Sequence, residues 1–92
     1  MEIKFDPKKN EANIKKHGIA LNEAGDLDWE TALVMEDNRF HYSEQRFMAI
    51  GLIQSKLHVV CYTLLANDAY RVFSLRMATK QEKRFYEKYT TR

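Results

Sequence analysis

The sequence holds little of what builds cofactor sites. It has one cysteine, Cys61. That excludes an internal disulfide and any zinc site made from several thiolates, and it suits the cytoplasm. One proline and three glycines leave few places to break the chain. They form no glycine-rich phosphate loop and no nucleophile turn around a serine. No run of about 18 apolar residues is present, so no membrane-spanning helix is expected. Met1 to Asp6 contains no apolar stretch of the signal-peptide kind. The histidines His17, His41 and His58 are not four apart on any expected helix. Neither a metal ion nor a nucleotide cofactor is therefore expected.

What is present is globular in character. Hydrophobic residues make up 45% and charged residues 30% of 92 positions, unlike a disordered chain. The length suits a single domain over residues 1–92. The net charge of +2 conceals an asymmetry. Residues 1–45 carry six Lys/Arg against ten Asp/Glu, a net −4, whereas residues 46–92 carry nine against three, a net +6. A basic half suits a polyanionic partner. A solvated lysine-rich helix explains the same charges without one.

Local patterns predict the elements. Ile3-Lys4-Phe5 reads as a strand. Asp6 is a good N-cap and Pro7 suits the first helical position, so a helix runs from Pro7 to Lys16 and stops at Gly18. Leu21, Ala24 and Leu27 recur at helical spacing and predict a short helix over 21–28. Thr31 to Glu36 reads as a strand, and Asp37-Asn38-Arg39 as a turn. Strands follow at Gln45–Gln54, Lys56–Leu64 and Tyr70–Met77, with turns at Ser55-Lys56 and Ala66-Asn67-Asp68. Thr79 and Glu82 form a capping box that opens a last helix. The order is β-α-α-β-β-β-β-α. The class is α+β, with helices packed on one face of an antiparallel sheet and the other face left partly open.

The candidate site residues are cations in or beside strands. Arg46 opens the third strand. Arg71 and Arg76 lie in the last strand, and their spacing of five predicts opposite faces. An arginine within a sheet needs a carboxylate, a rim position or an anionic ligand. Glu82 shares a helix face with Ala78, Phe85 and Tyr89, so it either closes the capping box or pairs with Arg71 or Arg76. Tyr86 lies one turn beyond Glu82 and either packs or donates a proton. Lys16 and His17 end the first helix, where the dipole favours cations and where an imidazole titrating near neutrality suits proton transfer. Cys61 reads as a core thiol.

In this order the residues resemble the BrnT toxins of bacterial type II toxin–antitoxin pairs. The resemblance runs through Phe5-Asp6-Pro7, Lys9, Asn13, Lys16-His17-Gly18 and Glu23-Ala24. It continues through Asp37-Asn38-Arg39, Tyr42, Glu44, Arg46, Gly51 and Val59 to Thr63. It ends with Arg71 to Ala78, Glu82 and Tyr86. The sequence departs from the usual family pattern at Ile3 and Phe5, at Ala20 (where Asn22 is the alternative cap), at Ser43 and at Leu75. The resemblance implies a RelE-like fold and a ribonuclease that blocks translation. It also implies a BrnA-like ribbon-helix-helix antitoxin, with operator DNA bound only through the antitoxin complex.

On that reading the substrate is RNA, and cleavage without metal needs a base, an acid and cations for the phosphorane. Arg46 and Arg76 are expected to hold phosphate, Lys16 and His17 to move protons, Glu82 to orient an arginine, and Tyr86 to donate a proton or stack. Arg71, Lys80, Lys83 and Arg84 are expected to contact RNA. Two other readings stay open: a nucleic-acid-binding module without chemistry, and a ParE-like inhibitor of a protein target.

Overall fold

Local signals set the ends of most elements. Asp6 caps the first helix, its Oδ1 accepting the Lys8 N–H at 3.0 Å. Gly18 ends it at φ 72°, donating its N–H to Ile14 O at 2.8 Å. Left-handed backbone of this kind favours glycine. The computed structural model describes residues 1–90. The elements are β1 (Glu2–Lys4), α1 (Pro7–His17), a 3-10 helix (Leu21–Asp26), β2 (Leu33–Glu36), β3 (Phe47–Ile53), β4 (Lys56–Leu65), β5 (Ala69–Met77) and α2 (Lys80–Thr90). The expected order and class hold.

The five strands form one sheet in the order β1-β5-β4-β3-β2. β2 to β5 make an antiparallel meander, and β1 adds parallel to β5. The β3–β4 turn falls at Gln54-Ser55, one residue before the expected pair, with Gln54 at φ 56°. The short helix is 3-10, and its start is not capped by Asn22. Leu21 N–H is taken by Asn10 Oδ1 at 2.8 Å and Ala20 N–H by Glu23 at 3.0 Å.

Two expectations are corrected by the sheet. The first concerns its cover. Leu21 and Ala24 of the 3-10 helix join Ala49, Val60, Val72 and Leu75 in the main core. Tyr86 of α2 packs on Ile50 and Val59. Ala49 and Ile50 are neighbours on β3, so helices cover both faces rather than one. The cause is that β3 and β4 are apolar on both sides and each side needs cover.

The second concerns Arg71 and Arg76. Tyr62 pairs with Val72 and Cys61 with Ser74, which leaves Phe73 as an extra residue on β5. A bulge of this kind reverses the in–out alternation. Val72 and Leu75, three apart, both enter the main core. Arg71 and Arg76 each adjoin one of them and so share the opposite face.

α1 closes the edge of β5. β1 pairs only with Ala69, Tyr70 and Arg71. Beyond them Asn13 takes the place of a strand. Its Nδ2 donates to Leu75 O at 2.8 Å and to Ile19 O at 2.9 Å, and its Oδ1 accepts the Leu75 N–H at 3.2 Å. Asn13 is 6% exposed, so water cannot replace these bonds. Asn13→Ala should cost about 2–4 kcal/mol through the unpaired backbone groups it leaves. Urea unfolding measures this, and a loss under about 0.5 kcal/mol would show that the edge closes without it.

Candidate active site

The bulge places a cationic cluster on the face away from the main core. At its centre is Arg76. Its Nη1 and Nη2 donate to Glu82 Oε1 and Oε2 at 2.7 and 2.9 Å. Such a two-pronged pair fixes the guanidinium plane. Glu82 also completes the cap of α2: its Oε1 accepts the Thr79 N–H at 2.8 Å, while Thr79 Oγ1 accepts the Glu82 N–H at 3.1 Å. The two readings of Glu82 are therefore both realised by one carboxylate. The Arg76 guanidinium, and then the Thr79 N–H, hold the Glu82 carboxyl down at about 2. Among the described residues, the Arg76 Nε–H has no hydrogen-bond partner.

His17 lies within Coulombic reach of Arg76. Partial burial lowers the proton affinity of its imidazole, and the charges of Lys16 and Arg76 lower it further. The ring is thus neutral at pH 7 and ready to take a proton. Lys16 and His17 border a hollow of about 190 Å³ shared with Lys9, Phe73 and Ser74.

The segment between β2 and β3 completes the cluster. Asp37, with a side chain 1% exposed, accepts from Arg39 Nε at 2.8 Å, Arg39 Nη2 at 2.9 Å and Tyr42 Oη at 3.1 Å. Arg39 holds its carboxyl at about 2. Arg39 Nη2 also reaches Cys61 Sγ at 3.9 Å, below the same face. Arg46 precedes β3 rather than opening it. Its guanidinium carbon lies 3.8 Å from the Phe73 ring centre and 4.1 Å from that of Tyr42, with Glu44 Oε1 at 3.2 Å. The two rings hold the guanidinium plane while Glu44 takes its Nε and Nη2 edge, and Nη1 is the nitrogen left to meet a further anion among the described residues.

Not every expected site residue joins this cluster. The Tyr86 hydroxyl donates to Thr31 O at 3.2 Å and its ring packs on Ile50, Val59 and Ala78. The hydroxyl thus meets a backbone carbonyl, and the ring lies against the second core cluster. Lys80, Lys83 and Arg84 are exposed on α2, and Lys83 borders Lys56 and Met77 near the β3–β4 turn. Asp37, Arg39, Tyr42 and Phe73 belong to the site although the sequence reading gave them no role. The two-residue spacing of Asp37 and Arg39 is the signal that points to them. The basic surface is not confined to the second half of the chain either. α1, from the acidic half, brings Lys8, Lys9, Lys15 and Lys16 against Glu11.

Two carboxylates held near 2 make the fold acid-sensitive. Their ordinary values are 3.8 for Asp37 and 4.5 for Glu82. The folded values lie lower, so the stability they add is present above about pH 5 and fades as pH falls towards 2. Each contributes on the order of 2–3 kcal/mol. Urea midpoints taken from pH 6 to pH 3 should drop in the wild type and drop less in the Asp37→Asn/Glu82→Gln variant. Parallel drops would show that neither carboxylate carries the linkage.

Residues 5–82 match the family described as the ribonuclease toxin, BrnT, of type II toxin–antitoxin systems. The chain belongs to the BrnT family. The crystal structure of the BrnT ribonuclease toxin from Brucella abortus is similar to it, with a TM-score of 0.67 and 26% identity over 87% of this chain and 99% of that one. Among curated proteins none matches the chain significantly. A BrnT chain is one half of a toxin–antitoxin pair, so an antitoxin partner follows from membership. Among the described residues no helix is long and apolar enough to cross a membrane. No three His, Cys, Asp or Glu side chains among them gather into a group that could hold a metal ion.

Proposed function

We propose that this chain is a single-domain endoribonuclease toxin, residues 1–92, that cleaves RNA in the cytoplasm without a metal ion and so stops translation. The observation that carries the reading is the fixed Arg76–Glu82 pair with the neutral His17 imidazole in its field. His17 takes the proton of a ribose 2′-hydroxyl. The 2′-oxygen attacks the adjacent phosphorus and the bond from phosphorus to the 5′-oxygen breaks. Lys16 returns a proton to that oxygen. The products are a 2′,3′-cyclic phosphate and a 5′-hydroxyl. Arg76 and Arg46 stabilise the charge that builds on the phosphorane, where guanidinium donors match phosphate oxygens. Glu82 keeps Arg76 in place. Lys80, Lys83 and Arg84 add long-range attraction for RNA.

The partner in this reading is a BrnA-like ribbon-helix-helix antitoxin that covers the cationic face. Operator DNA is reached only through that complex. The RelE-like arrangement of a meander with a closing helix suits this chemistry. The decisive experiment incubates antitoxin-free protein with RNA in EDTA. Fragments ending in 2′,3′-cyclic phosphate are expected. Intact RNA beside an active control nuclease sinks the reading. Salt-sensitive binding without cleavage would favour a binding module, and DNA damage without RNA loss in cells a protein target.

A further inference from the structure

A concavity wider than the hollow at His17 lies beside it. It is a groove of about 680 Å³ between the start of α1 and the β5 strand, bordered by Lys4, Phe5, Lys9, Arg71 and Phe73. We propose that this groove holds the single-stranded RNA that flanks the cleaved phosphate. The proposal rests on the RNA reading above and gives the substrate a direction across the protein.

Three observations support it. The groove adjoins the hollow at His17, because Lys9 and Phe73 border both. A chain leaving His17 along β5 towards Arg71 passes over these two side chains. Its cations are also available. Lys4, Lys9 and Arg71 are exposed, and among the described residues neither Lys9 nor Arg71 has an ion-pair partner, while Lys4 meets Glu2 only at 4.0 Å. The one carboxylate in the groove, Asp6, accepts the Lys8 N–H at the start of α1. Finally, the bulge turns Arg71 to the same face as Arg76 and places the Phe73 ring between the two stretches, with Lys9 Nζ 5.6 Å and Arg46 3.8 Å from its centre. A backbone that passes from Arg46 and Arg76, each paired with a glutamate, to the unpaired Lys9 and Arg71 meets a cation at every step, the pattern of a single-strand channel.

The test measures binding rather than cleavage. A fluorescein-labelled 2′-O-methyl octanucleotide cannot react, since its attacking hydroxyl is blocked. Its affinity is read by anisotropy across a salt series, for the wild type, Lys9→Ala/Arg71→Ala and Lys56→Ala/Lys88→Ala. The last pair removes the same charge elsewhere. Both groove residues are exposed, and a thermal melt checks that the variants fold. The groove variant should bind about tenfold more weakly at 0.1 M salt, with the slope of log affinity against log salt smaller by about 1.4, for two phosphate contacts at about 0.7 each. The control pair should bind as the wild type does. Equal weakening in both pairs, or wild-type affinity in the groove variant, overturns the groove. Wild type that binds through the groove but leaves RNA intact in the EDTA experiment overturns the chemistry alone. Wild type that binds no RNA overturns both.

Discussion

Arg76→Ala should leave a folded protein that cleaves RNA about 10²–10³-fold more slowly. The guanidinium is one of two cations assigned to the reacting phosphate, and it is the one whose plane is locked by Glu82. Its removal should weaken the fold without undoing it. Glu82 keeps the Thr79 N–H and stays partly solvated, so the loss is about 1–2 kcal/mol. Arg76→Lys restores the charge but not the planar fork, and it should recover only part of the rate. Glu82→Gln keeps the helix cap and loosens the arginine, so it should lower kcat more than it raises KM. Rates on RNA, thermal melts and relief of growth arrest on expression together decide the matter. A folded Arg76→Ala protein with wild-type activity would show that Arg76 is no part of the chemistry.

His17→Ala should lower kcat/KM by about 10²–10⁴-fold, the range for a lost proton acceptor. Its second signature is in the pH profile. The wild-type rate should rise with pH through a midpoint below 6.5, because burial, Lys16 and Arg76 all disfavour the imidazolium. Removing a neighbouring positive charge favours that cation, so Lys16→Met moves the His17 midpoint upward. Arg76→Ala does the same, and because both variants lose a group assigned to the reaction, a proton NMR titration of His17 is the better measure for each. An acid limb that survives in His17→Ala would assign the base to another group. A midpoint indifferent to both neighbours would place His17 outside the cluster.

Much of the scaffold is readable from local chemistry. Asp6, Pro7, Gly18 and Thr79 mark their helix ends because capping depends on adjacent residues. The strand order along the chain follows from apolar runs. The pairing of Glu82 with Arg76 is legible as a carboxylate on an apolar helix face near an arginine in a strand. Other features depend on partners distant in sequence. The extra residue at Phe73 exists only relative to β4, so residue spacing alone puts Arg71 on the wrong side. The Asp37–Arg39–Tyr42 group looks like a solvated polar turn until β3 and Cys61 are beneath it. The basic surface likewise gathers α1 from the acidic half and β5 from the basic half, which a running charge count separates.

The unpaired Phe73 is a residue that the pairing with β4 does not need. Deleting it would leave Tyr62 opposite Val72 and Cys61 opposite Ser74, and the strand would pair in plain alternation. Arg71 and Arg76 would keep their face, and Leu75 its place in the interior. What would go is the ring on which Arg46 stacks and beside which Lys9 lies. A relative of this protein with a one-residue gap there would keep every cation in register and lose the aromatic plate that aligns one of them.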